Sequence, residues 1–529
     1  MLKHLIGIRL RRLLSSLYGG RGGVAAGVIY AIIGIIFVGY SFMIGFGLGS
    51  MLIPSGLEYI YFSLFVLITS LVVFMFSIME TKTALFECMD NELLMSMPIR
   101  PIDILVSRCA AVLIANLVEV ALITVPATIA YLFLGGSPLY AIGFVLVTLF
   151  AVLFVTVLSA LFGYLVALIA SRSKHKNLVT IITSLAFLAL YFAFYFSLMG
   201  DSMNSTDDPQ QLVAGLVKML SVFSPIGEAC MLSPLPLILI ALVSVGSAII
   251  FALLMSKFYF RIINESKSTI SSPKKEVRAT SGTALTALAK KELGRLFSSA
   301  GYLLNGGVGV IFQVLMGIML FTNGEQIMPV AEEFSALLGI DKSYLLGLLS
   351  VAICSALPLT NSVSASALSL EGRNFWVLQS LPVDPMTVLY AKLVPHIVLS
   401  LPSTLALSIL LGIAFSIPAI FWPFIIITPI ISVLIGALLG LILNVKFPKF
   451  EYTNEHEVVK QSLPVFVMVM LGLLCTMICV GASVFIASMI GPLVALLALL
   501  VLLLLTLSLL IWLLNTVACR GLQKLLLGR

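Results

Sequence analysis

The chain has 529 residues, 60% of them apolar and only 10% charged, and a mean hydropathy of +1.17. A soluble domain carries about 25% charged residues, because its surface must face water. This composition excludes a soluble enzyme, a nucleic-acid reader and a secreted disulfide scaffold, and it points to a polytopic membrane protein.

Seven cysteines without CxxC spacing and four dispersed histidines without HExxH predict neither a disulfide framework nor a metal centre. Arg9, Arg11 and Arg12 precede an apolar run that is too long for a signal-peptide core, so no cleaved leader is expected.

A helix needs about 20 apolar residues to cross the hydrocarbon. Twelve such runs follow in order, near 24–48, 58–79, 105–133, 139–169, 178–199, 234–256, 303–322, 344–364, 388–416, 422–444, 464–489 and 492–515. Their length and lack of strict alternation predict helices. With the N-terminus inside, the inner segments hold 28 of the 30 Lys and Arg, nine of them within 257–295. Only Lys218 and Lys342 fall outside, where acids such as Glu58, Asp201, Glu332 and Asp341 collect. Basic residues stay on the cytoplasmic side of membrane helices, so both termini are expected in the cytoplasm. The net charge of +7 is then a topology signal, with membrane lipid as its partner and no nucleic acid.

The polar stretch 257–286 reads as a cytoplasmic linker between two six-helix halves, 1–256 and 287–529. The halves align at an offset of 284. Glu87/Glu371, Leu94/Leu378, Ser96/Ser380, Pro98/Pro382, Pro101/Pro385 and Leu105/Leu389 are identical, and Arg108/Lys392 is conservative. The start repeats as well, Arg12 to Ser16 resembling Arg295 to Ser299. The predicted fold is an all-α integral membrane protein of about 12 transmembrane helices, built as a parallel 6+6 repeat.

The best-marked repeat lies between the second and third span of each half. Phe86, Met89, Leu93 and Met97 follow helical spacing, with Glu87, Asp90, Asn91 and Glu92 beside them, which predicts a short amphipathic helix. Pro98 and Pro101 then force an extended break. Pro101 and Pro385 suit the first turn of the next span, and Asp384 suits an N-cap. The result is a stiff elbow of helix, SxPxxP break and long membrane helix. Its duplication favours a docking element over a helix resting on the bilayer.

Leu370, Glu371, Gly372, Arg373, Asn374, Phe375 and Trp376, followed by Ser380, Leu381 and Pro382, resemble the permease subunits of type-2 ABC exporters. The resemblance is to the large fused form with two six-helix halves. Phe447, Pro448, Lys449, Phe450, Glu451, Tyr452, Thr453, Asn454 and Glu455 look like the same family. In that family the loop after each half's second span is a coupling helix seated in the ATP-binding subunit. The resemblance thus implies an ABC-type ATPase partner, in two copies. The first contact would involve Phe86, Glu87, Met89, Asp90, Glu92, Leu93, Ser96 and Pro98. The second would involve Glu371, Arg373, Phe375, Trp376, Leu378, Ser380 and Pro382. Acidic Glu87, Asp90 and Glu92 would meet a basic cleft, whereas the second copy keeps only Glu371. The family's outer helices between fifth and sixth spans would fall at 211–222, with no counterpart between Ile490 and Pro492.

No GxxxxGK[ST] loop occurs, so the chain is expected to bind no cofactor itself, with ATP and Mg²⁺ held by the partner. Within the spans, Glu119, Asn116 one turn earlier and Asn361 are candidate pathway residues, since polar groups at that depth are costly. Packing between helices is the competing role for each. An ion-driven secondary transporter of 6+6 topology remains the alternative function, and the transported cargo is not encoded in any motif.

Overall fold

A computed structural model describes residues 4–9, 11, 23–85, 91–171, 179, 181–183, 223–267, 282–324, 328–452, 455–460 and 462–527. These residues are helical or irregular, and no strand occurs among them. The chain divides into two compact units, Met1–Tyr18 with Gly27–Lys275 and Gly19–Ala26 with Glu276–Arg529. The division falls inside the expected linker 257–286. That linker is shorter than the sequence suggested, because a helix continues to Lys267 and another begins at Ala284.

In the first half the helices are α1 (Gly23–Leu52), α2 (Glu58–Leu85), α3 (Asn91–Ser96), α4 (Pro101–Phe133), α5 (Pro138–Ser171), α6 (Ser224–Cys230) and α7 (Pro234–Lys267). The second half has α8 (Ala284–Ser298), α9 (Ala300–Gly306), α10 (Val308–Asn323), α11 (Met328–Leu338), α12 (Lys342–Ala356), α13 (Phe375–Ser380), α14 (Pro385–Ala414) and α15 (Trp422–Lys446). It continues with α16 (Glu455–Val459), α17 (Leu463–Met489), α18 (Pro492–Leu513) and α19 (Cys519–Leu526). Eight described helices are long and apolar enough to cross a bilayer, and Val38–Leu52, Glu58–Phe74 and Gly309–Thr322 are shorter apolar segments. The expected fifth span at 178–199 and the outer segment 211–222 lie largely or wholly outside the described residues.

The repeat is visible in where helices begin. The starts of α2, α3, α4 and α5, at Glu58, Asn91, Pro101 and Pro138, recur at Lys342, Phe375, Pro385 and Trp422, always 284 residues on. Local chemistry fixes these points. Pro101 and Pro385 lack the N–H that a first turn leaves unused, and the residues before them are extended. Asp384 occupies the N-cap position, but its side chain makes no cap bond. Asp341 does cap α12, accepting from the Ser343 N–H at 2.9 Å.

In the first unit, α2, α4 and α5 pack through aromatic rings, with Phe62 4.8 Å from Tyr131 and 5.1 Å from Phe144. The Tyr61 hydroxyl donates to the Ala127 carbonyl at 2.8 Å. The second unit has a larger apolar core shared by α12, α14, α15 and α18. In lipid such contacts are held by close packing and internal hydrogen bonds, since the surrounding acyl chains are equally apolar.

The eighth span departs from expectation. It was expected to continue to 364, but its α-helix stops at Ala356, followed by a 3₁₀ turn Leu357–Thr360 and an irregular stretch to Leu368. Pro358 has no N–H to continue the ladder.

Candidate functional site: the elbow of the second half

The segment from Asn361 to Gly372 is non-helical or 3₁₀ and buried throughout. Irregular backbone at such a place needs partners inside the protein. Asn444 supplies several. Its Oδ1 accepts from the N–H groups of Leu368 at 2.7 Å and Ser369 at 3.1 Å, and its Nδ2 donates to Ser369 Oγ at 2.7 Å. Ser369 Oγ also accepts from the Lys449 N–H at 2.9 Å, while the Tyr452 hydroxyl donates to the Leu370 carbonyl at 3.0 Å. Phe450 stacks against Phe375 with centroids 4.6 Å apart. The two sequence runs that carry the family resemblance therefore lie against each other. Gly372 sits at φ +52°, and a Cβ there would meet the Tyr452 ring at 2.8 Å.

Beneath this strap lies a buried ion cluster. Lys392 Nζ donates to Glu371 Oε1 at 2.8 Å, to Glu292 Oε1 at 3.0 Å and to the Ala367 carbonyl at 3.0 Å. Arg295 reaches Glu371 Oε2 at 2.7 Å and Glu292 Oε2 at 3.3 Å, and Lys291 reaches Glu371 at 2.9 Å. The side chains of Lys392, Glu371 and Glu292 are 1%, 2% and 3% exposed. Burial alone would raise the Glu371 carboxyl. The neighbouring Lys392 and Arg295 outweigh it and hold the group well below the usual carboxylate range. The cluster ties α8 to the base of α14 and to the turn that precedes α13. Ion pairs this deep cost most when one partner is removed, about 3–5 kcal/mol.

The expected second-helix residues thus divide. Glu371 points into the cluster, and Phe375 and Leu378 are buried anchors, whereas Arg373, Trp376, Ser380 and Pro382 are exposed. Trp376 is 63% exposed, beside Val377 at 40% and Leu381 at 41%. The surface offered by α13 is therefore aromatic and apolar with one cation, and the acid expected there is turned inward. Gln379 Nε2 donates to the Leu525 carbonyl at 3.0 Å, fixing α13 to α19.

In the first half, Phe86, Glu87, Met89 and Asp90 lie outside the described residues, as does the side chain of Glu92. Leu93 is 61% exposed, Leu94 is buried, and Ser96 and Pro98 are exposed. Ser96 Oγ donates to the Leu93 carbonyl at 2.8 Å, and its counterpart Ser380 makes the same bond to Val377 at 2.8 Å. Arg108, the counterpart of Lys392, is likewise 1% exposed and donates from Nη1 to the Leu85 carbonyl at 2.9 Å.

Asn116 is fully engaged. It accepts from Ser77 Oγ at 2.7 Å and donates to Thr156 Oγ1 at 2.9 Å, joining α2, α4 and α5. Glu119, one turn further along α4, is half-buried. Asn361 belongs to the second unit, where its Nδ2 donates to Ser400 Oγ at 2.9 Å. Nearby, Gln313 Oε1 accepts from Ser403 and Thr404, both at 3.0 Å. Asn116 thus joins three helices, and Asn361 ties the irregular stretch to α14.

Lys291 and Glu292 were not singled out in the sequence. Their signal was a charge on an apolar stripe, since Leu288, Glu292 and Leu296 follow one another every four residues and are all buried. Six described cysteines are free thiols, and no cluster of metal-ligating side chains occurs among the described residues.

A family model described as membrane protein of 12 TMs matches residues 25–512. The chain belongs to that family. The match spans both halves and fits the all-helical architecture with its repeated helix starts. No curated protein matches the sequence. Membership in this twelve-span family makes the chain a multi-pass membrane protein.

Proposed function

We propose that the chain is the membrane-spanning permease subunit of an ATP-driven, ABC-type exporter in the cytoplasmic membrane. An ATPase copy, carrying ATP and Mg²⁺, engages the elbow of each half. One observation carries this reading: α3 and α13 start at the same repeat position, end in the same serine turn and lead through the same proline break into a long span. A duplicated rigid elbow suits a duplicated motor. In the second copy the outward Trp376, Val377 and Leu381 form the contact, and the ion cluster passes its displacement to α14 and α8. This surface chemistry would seat in an apolar cleft, in place of the basic one that an acidic helix would need.

The test is to purify the tagged chain in mild detergent and identify its companions by mass spectrometry. An ABC-type ATPase at about two copies per chain supports the proposal. Its absence across several gentle preparations overturns it in favour of ion-driven transport, for which Glu119→Gln would then be the first variant to assay.

A further inference from the structure

The last transmembrane helix continues without a break from Pro492 to Leu526, 35 residues. At 1.5 Å per residue that is about 50 Å, well beyond the roughly 30 Å of hydrocarbon. Counting about 20 residues from its outer end places Trp512 at the inner boundary of the bilayer. A π-helical turn, Leu514–Ala518, follows at once. Such turns shift a helix face and gather at functional sites.

Along one face of the helix, spanning this turn, is an open recess of about 550 Å³ lined by Trp512, Thr516, Val517, Arg520, Gly521 and Lys524. Arg520 and Lys524 are exposed, and neither has an ion-pair or hydrogen-bond partner among the described residues. Side chains lean toward the N-terminus of their helix. Here that direction is back toward the membrane, and both cations line the same recess as Thr516 and Val517. Trp512 is 59% exposed and Val517 47%, giving the recess an apolar wall on its membrane side.

We propose that this recess binds one anionic glycerophospholipid of the inner leaflet. Its phosphate sits between Arg520 and Lys524, and its acyl chain runs along Trp512 and Val517. Charge complementarity supplies the headgroup half of the match, and depth supplies the other. A soluble phosphate would use the cations but leave the apolar wall uncovered. The proposal stands whether or not an ATPase couples to the elbow. It bears on the elbow nonetheless, because Gln379 of α13 is bonded to Leu525 at the end of this same helix.

Native mass spectrometry of the detergent-purified chain, titrated with dioctanoyl phosphatidylglycerol, dioctanoyl phosphatidylcholine or inorganic phosphate, tests this. Saturable binding of one phosphatidylglycerol is expected, with little phosphatidylcholine bound and no competition from phosphate. Each basic residue near an anionic surface contributes enough that Arg520→Gln with Lys524→Gln should weaken binding about 30-fold. Arg520→Lys should keep most of it. Should the double variant fail to fold, Arg520→Gln alone should weaken binding about 5-fold. Equal binding of the two lipids, unchanged binding by the variants, or displacement by inorganic phosphate would each overturn the assignment.

Discussion

The second span of the first half and its counterpart in the second half start at the same repeat position and finish differently. Helix α2 runs unbroken from Glu58 to Leu85, whereas α12 stops at Ala356 and gives way to a buried irregular strap. Two substitutions account for the difference. Phe74 is replaced by Pro358, which ends the hydrogen-bond ladder. Thr156, a partner of Asn116, is replaced by Gly440, and a Cβ at Gly440 would lie 2.3 Å from Ser364 Oγ. The room left by that missing side chain is filled by the strap.

One joint survives the change. Ser77 and Asn116 correspond to Asn361 and Ser400, and both pairs are hydrogen-bonded, at 2.7 Å and 2.9 Å, with the two residue types exchanged. A duplicated bundle can therefore keep a polar contact between its second and third spans while one of them unwinds around it. The first half is built as a continuous helix pair, and the second as a strap clamped by charge.

Removing the clamp should produce the largest effect. Glu371→Leu leaves Lys392 and Arg295 short of an acid and should cost about 3–5 kcal/mol in the melting of the purified chain. Pairing it with Lys392→Met should restore part of the loss. An unchanged melt for Glu371→Leu would contradict the charge clamp. Forcing the second half toward the first comes next. Gly440→Ala should destabilise by about 1–3 kcal/mol through crowding of Ser364, measured in the same melt. Exchanging the surviving joint is milder. Asn116→Ala should cost about 1–2 kcal/mol, and Ser77→Asn with Asn116→Ser should recover some of it if the two pairs are equivalent.

Acid sharpens the same contrast. The Glu371 carboxyl is depressed in the folded chain, against about 4.5 when free of these neighbours. A group of this kind contributes its full stability above the unfolded value, and that stability is lost as pH falls below it toward the folded value. The melting difference between the native chain and Glu371→Gln should be flat from neutral pH down to about 5 and shrink below about 4.5. A difference that changes near pH 7 would contradict the charge clamp. Trp376→Ala should be the mildest in stability, within about 0.5 kcal/mol, because its side chain is mostly exposed.

Most of the architecture was legible in the sequence because lipid imposes simple demands. Runs of about 20 apolar residues and the 284-residue offset predicted the spans and the duplication. The elbows were legible because proline acts locally, at Pro101 and Pro385. The break at Ala356 was not, since the run 344–364 stays apolar and small throughout, and only burial and the Asn444 bonds make the strap possible. The inward turn of Glu371 depends on Lys291 and Arg295, some 80 residues earlier in the chain, and no local pattern at 371 shows it. The Asn–Ser exchange escaped because an alignment reads exchanged residues as mismatches.

Docking of an ATPase on the outward face of α13 can be caught by placing a photo-crosslinking amino acid at position 376 in the otherwise native chain in cells. One main adduct is expected, with an ABC-type ATP-binding subunit. Adducts with lipid alone, or none, from a chain that is correctly inserted and melts normally would contradict it.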